Sequence, residues 1–100
     1  MDADVIDNGA SVAIRLSGRF DATGQQAFIH AVDLVMAAAG GDVRIDLDGV
    51  DYIDSTALGL LLILRERAKH AGKAVSLVGA KNSVKTILDI AKFDKIFSMK

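Results

Sequence analysis

The sequence predicts an α/β domain, with a mixed central sheet entered through an N-terminal β-hairpin and helices packed mainly on one face. Three observations predict it. Alternation of apolar residues at Val12, Ile14 and Leu16, and again at Val43, Ile45 and Leu47, marks strands with one buried side. Elsewhere apolar residues recur at helical spacing, as in Val84, Ile87, Leu88 and Ala91. Glycines and polar capping residues punctuate the changes between the two periods. A chain of 100 residues suits one such domain, spanning 1–100. With 51% hydrophobic but only 5% aromatic residues, the core must be built from Leu, Ile, Val and Ala.

The opening hairpin joins Asp4–Ile6 to Val12–Leu16 around Asn8-Gly9, a pair suited to a tight turn, and Gly18 is expected to end the second strand. Asp21 or Thr23 can cap a first helix running to about Ala39, stopped by Gly40-Gly41. Val43–Leu47 reads as the next strand. A second helix follows from Ser55 or Thr56 to about Ala71, with Arg65, Arg67, Lys69 and His70 near its negative end and Gly72 as terminator. Ala74–Val78 is a short apolar run suited to a buried parallel strand. Asn82 or Ser83 can cap a third helix through Ala91, and Lys95–Met99 is a weaker edge-strand candidate.

Composition excludes several function classes. The chain contains no cysteine, so disulfides, thiol catalysis and cysteine metal clusters are ruled out. The lack of a signal peptide points to an intracellular, cytoplasmic protein. Ala57–Leu64, the longest apolar run, is far short of the roughly 20 residues that span a bilayer, so no membrane insertion is expected. With a net charge of −1 and no long basic run, nucleic-acid binding has little support.

The chemistry concentrates in Asp51-Tyr52-Ile53-Asp54-Ser55-Thr56, immediately before the leucine-rich helix. Two hydroxyls there exceed what one cap needs. A helix start also favours added negative charge, so a phosphate on Ser55 is compatible with the helix. Leu58, Leu60, Leu61, Leu62, Ile63 and Leu64 cannot all face one sheet. Some must be covered from the other side or exposed, and exposed leucines beside a phosphorylatable hydroxyl form a sensible partner surface.

Asp54-Ser55-Thr56-Ala57-Leu58-Gly59, preceded by the strand Val43–Leu47, resembles the STAS domain of anti-sigma-factor antagonists. Leu16-Ser17-Gly18-Arg19-Phe20-Asp21 is similar to that family's first motif segment, and the likeness runs over essentially the whole chain. It implies a non-enzymatic, cofactor-free partner switch in a STAS-like fold. The unphosphorylated form would bind an anti-sigma factor, often itself an ATP-using serine kinase. Phosphorylation in the Asp-Ser-Thr motif would end that binding, and a metal-dependent serine phosphatase would restore it. Ser55 is the implied phosphoacceptor, with Thr56 as the alternative. Asp21, Asp54, Thr56, Leu58, Gly59 and Leu62 are the implied partner-binding residues. Ala57 replaces the usual glycine after the hydroxyls, and Arg19-Phe20 replaces a more typical Glu-Leu, changing the charge offered to a partner. Some switches of this design act on secretion or motility instead of a sigma factor.

Other constellations fit less well. The aspartates from Asp42 to Asp54 fail the calcium-loop pattern, since a loop begun at Asp46 has Asp51 and Ala57 where Gly and Glu are needed. A receiver-like phosphoacceptor built on Asp46, with Asp21 and Lys81, lacks the acidic pair and begins with the wrong hairpin. His70 lies roughly 22 Å along the helix from Ser55, too far to act as its base, and His30 is expected to face solvent. Gly72-Lys73-Ala74 is not a phosphate loop, so any ATP used on this chain would belong to a partner. Lys81, Lys85, Lys92 and Lys95 read as a solvated face.

Overall fold

The computed structural model describes residues 1–100. In chain order the elements are β1 (Asp2–Asp7), β2 (Ser11–Phe20), a short 3-10 turn (Ala22–Gly24), α1 (Gln25–Ala37), β3 (Asp42–Ile53) and α2 (Ser55–His70). After them come β4 (Ala74–Val78), α3 (Asn82–Ile90), a second 3-10 turn (Phe93–Lys95) and β5 (Ser98–Met99). The five strands form one sheet in the order β1-β2-β3-β4-β5. β1 and β2 pair antiparallel as the hairpin, and every later pair is parallel. This is the mixed sheet that the sequence predicts.

The helices cover one face of the sheet. Val12, Ile14, Leu16, Val43, Ile45, Leu47 and Leu77 are buried there, in one core with Phe28, Val32 and Val35 of α1 and Leu60, Leu61 and Leu64 of α2. The register places Ala13 beside Arg44 and Arg15 beside Asp46 on the opposite face. That face is polar and open, and Arg15 pairs with Asp46 at 3.6 Å. No charged or polar side chain is buried. Fully burying a leucine contributes about 1.5–3 kcal/mol, so the continuous apolar face is what fixes strand register here.

Both long strands exceed their expected limits. β2 does not stop at Gly18 but runs on to Phe20, and β3 continues past Leu47 to Ile53. The reason is a pair of register shifts, between Arg15 and Ser17 and between Gly18 and Arg19, where β3 carries an extra residue against β2. Each bulge breaks the alternation of faces, so buried positions lengthen from steps of two to steps of three at Val50 and Ile53. Gly18 sits in the bulged stretch with φ at +88°, a conformation costly for any residue with a Cβ.

Several boundaries also differ from expectation. Asp21 caps the 3-10 turn rather than α1 itself, and α1 ends through an extended Ala38 before the glycine pair is reached. Lys73 Nζ donates to the carbonyls of Ala38 and Gly40 there, at 2.7 and 2.5 Å, satisfying what the helix end leaves open. Gly72, with φ at +71°, terminates α2 as expected. Neither Asn82 nor Ser83 caps α3; Lys81 occupies the N-cap without a side-chain bond. Of the expected strand Lys95–Met99, only Ser98–Met99 pairs with β4, because the second 3-10 turn takes up the residues before it.

Candidate functional site

The bulges determine where the parallel strands β2 and β3 finish. Phe20 and Ile53 are register partners, both buried, so the next residues, Asp21 and Asp54, emerge side by side at one end of the sheet. Both aspartates are extended, Asp21 at φ −143° and ψ −166° and Asp54 at φ −128° and ψ −173°. Each turns its carboxylate back onto the backbone that follows. Asp21 Oδ1 accepts from the Thr23 N–H at 3.0 Å and from the Thr23 hydroxyl at 2.5 Å. Asp54 Oδ1 accepts from the Ala57 N–H at 3.0 Å.

Asp54 is therefore the N-cap of α2, and the expectation that Ser55 or Thr56 caps the helix is corrected. The strand reaches Ile53, which leaves Asp54 as the last extended residue and puts Ser55 and Thr56 inside the first helical turn. A cap side chain must come from the last non-helical residue, so neither hydroxyl is positioned for the task. Ser55 is exposed and Thr56 half-buried.

Down α2 from Ser55, residues Leu58, Gly59, Leu62 and Ile63 follow at offsets of three, four, seven and eight, forming one stripe. Leu58 and Gly59 are half-buried, while Leu62 and Ile63 are exposed at 40% and 47%. Leu60, Leu61 and Leu64 take the core side. The leucine run is thus divided between core and surface. Nothing lies within 4 Å of where a Gly59 side chain would begin, so the stripe has a gap at its centre. Asp21, Asp54, Ser55 and Thr56 are brought together at one end of the sheet, and the stripe runs from there to the middle of α2.

The surroundings are acidic: Asp21 and Asp54 stand side by side, and Asp51, the extra residue of the second bulge, precedes Asp54 by three positions. Asp21 is held below the ordinary aspartate range, first by its hydrogen bond from the Thr23 hydroxyl, against a smaller desolvation effect, and further by the Thr23 N–H and the Arg19 charge. A pair that sequence reasoning missed stands next to these acids. Arg19 and Tyr52 are register partners, and the Arg19 guanidinium carbon lies 3.8 Å from the Tyr52 ring centroid. Arg19 Nε is also 3.5 Å from Asp21 Oδ2. The available signal was the common out–in order of Arg19-Phe20 and Tyr52-Ile53, hidden once both strands were ended early.

The aspartates do not form a metal site, since no group of three or more potential ligands gathers in the structure. No helix is long and apolar enough to cross a membrane. His30 and His70 are both exposed.

Comparison with known proteins agrees with this architecture. The family model described as "Mlab, STAS domain" matches residues 4–99. A STAS-domain containing protein of Pseudomonas aeruginosa strain UCBPP-PA14 is 35% identical over 92 residues, covering 92% of this chain and 90% of that protein. An anti-sigma factor antagonist from Mycobacterium paratuberculosis superposes with a TM-score of 0.85 at 22% identity, over 97% of this chain and 82% of that one. SpoIIAA, an anti-sigma factor antagonist, superposes at 0.74 in its unphosphorylated form, with 14% identity over 98% of this chain and 86% of that one. Its phosphorylated form, from Bacillus, also gives 0.74, with 13% identity over 98% and 90%. The match over nearly the whole sequence, on a mixed sheet with its helices on one face, places this chain in the STAS domain family.

Proposed function

We propose that this protein is a non-enzymatic, cytoplasmic anti-sigma-factor antagonist whose binding is switched by phosphorylation of Ser55. The observation that carries the reading is the division of labour at the start of α2. Asp54 supplies the cap, so Ser55 is an exposed hydroxyl with no structural duty, at the head of a half-apolar surface stripe. Unphosphorylated, the chain docks an anti-sigma factor with serine kinase activity through Asp21, Asp54, Thr56, Leu58, Gly59 and Leu62. A phosphate adds about two negative charges where Asp51 and Asp54 already stand, which opposes docking while the helix dipole tolerates it. A serine phosphatase resets the switch. SpoIIAA, an anti-sigma factor antagonist with an unphosphorylated and a phosphorylated structure, shares this fold, which supports the reading.

The test is incubation with ATP and the source cell's anti-sigma-factor kinase, with the phosphate mapped by mass spectrometry. Acid-stable phosphate on Ser55, and loss of kinase binding with it, is the expected result. Phosphate on Thr56 would move the acceptor by one residue. Ser55→Asp should weaken kinase binding by about tenfold or more while leaving the circular dichroism spectrum unchanged. Equal affinity of Ser55→Asp and wild type, with no phosphate incorporated, would sink the switch.

A further inference from the structure

The Arg19–Tyr52 pair has no part in the fold's core and no part in the switch as described. Arg19 is 62% exposed, yet its guanidinium is contacted on two sides. Its guanidinium lies over the Tyr52 ring, and Asp21 holds its Nε side. Asp21 is itself fixed by two bonds from Thr23, which hold its carboxyl below the ordinary aspartate range. The two terminal nitrogens of Arg19 have no protein acceptor. A guanidinium placed over an aromatic ring with its terminal edge open is a planar two-donor fork, matched to a carboxylate or a phosphate. Most exposed arginines lose rotamer freedom when they dock, whereas here much of that cost is already met by the fold.

We propose that Arg19 selects the partner by receiving one of its carboxylate side chains in this fork. The inference rests on the partner-switching reading and deepens it. Asp21 touches the fork and Asp54 emerges beside Asp21, so a uniformly acidic partner is repelled and a uniformly basic one leaves Arg19 opposed. The partner that fits carries basic residues facing the aspartates and a single acid facing Arg19. Attraction and repulsion within one small surface discriminate between similar kinases more sharply than either alone.

The experiment uses the full chain and the kinase that phosphorylates it, with affinity measured on the unphosphorylated protein. Arg19→Glu should weaken binding by about tenfold or more, and Arg19→Lys, which keeps the charge but loses the fork, by a smaller factor. One Asp or Glu→Arg substitution on the kinase should restore binding to Arg19→Glu. Affinity of Arg19→Glu within about twofold of wild type would overturn the inference while leaving the switch intact. The inference also falls if Arg19→Glu binds as wild type does but shifts the second ionisation of the Ser55 phosphate, followed by phosphorus NMR, by roughly half a unit. In that case the fork serves the phosphate of its own chain. Failure of wild type to bind any kinase would remove both the switch and the inference. A merely structural Arg19 would lower the melting temperature without changing affinity.

Discussion

Two neighbouring strand ends of this molecule carry nearly the same sequence and do different things with it. β2 leads into Asp21-Ala22-Thr23-Gly24, and β3 into Asp54-Ser55-Thr56-Ala57. In both, an extended aspartate caps the turn that follows, and the two lie beside each other because Phe20 and Ile53 are paired. At the first, the threonine hydroxyl is drawn into the aspartate and the chain makes a 3-10 turn before α1 begins. At the second, the carboxylate reaches one residue farther, to Ala57, and α2 starts at once. The two segments differ at two positions, Ala22 against Ser55 and Gly24 against Ala57, and only the first adds a hydroxyl. Alanine at the first end serves the local fold, so a serine at the second is surplus to folding. The comparison separates what holds the helix start from what the chain has available for signalling.

The severest test of this pairing lies beneath both ends. Phe20 is fully buried and tilted against Phe28 with ring centroids 5.0 Å apart, so Phe20→Ala removes the floor shared by the two caps. We expect a loss of about 3–5 kcal/mol, read by urea denaturation. A loss under about 1 kcal/mol would mean that the strand ends are held by something other than their common core.

A middle-sized effect distinguishes the two aspartates. Asp54→Ala should cost about 1 kcal/mol, since it removes the side-chain cap of a sixteen-residue helix. Asp21→Ala should cost less, because it releases only a three-residue turn and α1 starts without a side-chain cap of its own. Equal losses would break the distinction. Ser55→Ala should be smaller still, within about 0.5 kcal/mol of wild type by the same measurement, while abolishing phosphate incorporation. A large destabilisation from Ser55→Ala would return the serine to a structural role.

The sequence made the architecture legible and the cap illegible, for a single physical reason. Where strands alternate regularly, as in Val12–Leu16 and Val43–Leu47, one apolar face declares itself and the α/β order follows. The bulges in the second half of β3 spoil that period, so Val50 and Ile53 do not look like strand residues although both are buried. With the strand ended early, Ser55 or Thr56 reads as the helix start and Asp54 is passed over, although local preference ranks the three residue types closely. Strand length decides among them, and it is set by pairing with β2, a long-range contact. The same truncation concealed Arg19 over Tyr52. By contrast, the split of the leucine run followed from counting alone, because a helix that narrow cannot bury every side. The end of the chain misled for another reason. Ile96-Phe97 has strand composition, but Lys92 adopts φ +63° and turns the chain into a 3-10 turn, leaving Phe97 to fill the core from a loop.

The smallest effect expected is electrostatic and belongs to the first strand end. The Thr23 hydroxyl and N–H hold the Asp21 carboxyl below its ordinary value, assisted by Arg19, so folding favours the ionised form. A carboxyl whose folded pKa is depressed stabilises the protein fully above its unfolded value, about 3.9, and that contribution fades as pH falls through the lower folded value. Carboxyl-carbon NMR should therefore show Asp21 titrating below the ordinary aspartate range. Thr23→Val removes the hydroxyl, the leading cause, and should move the midpoint upward while the N–H and Arg19 retain part of the shift. The stability difference between Thr23→Val and wild type should then narrow in the acid limb, as wild type loses what the variant already lacks. No movement of the Asp21 midpoint in Thr23→Val would show that the hydroxyl does not hold the carboxylate. The parallel between the two strand ends would then reduce to their backbone geometry and the N–H each aspartate accepts.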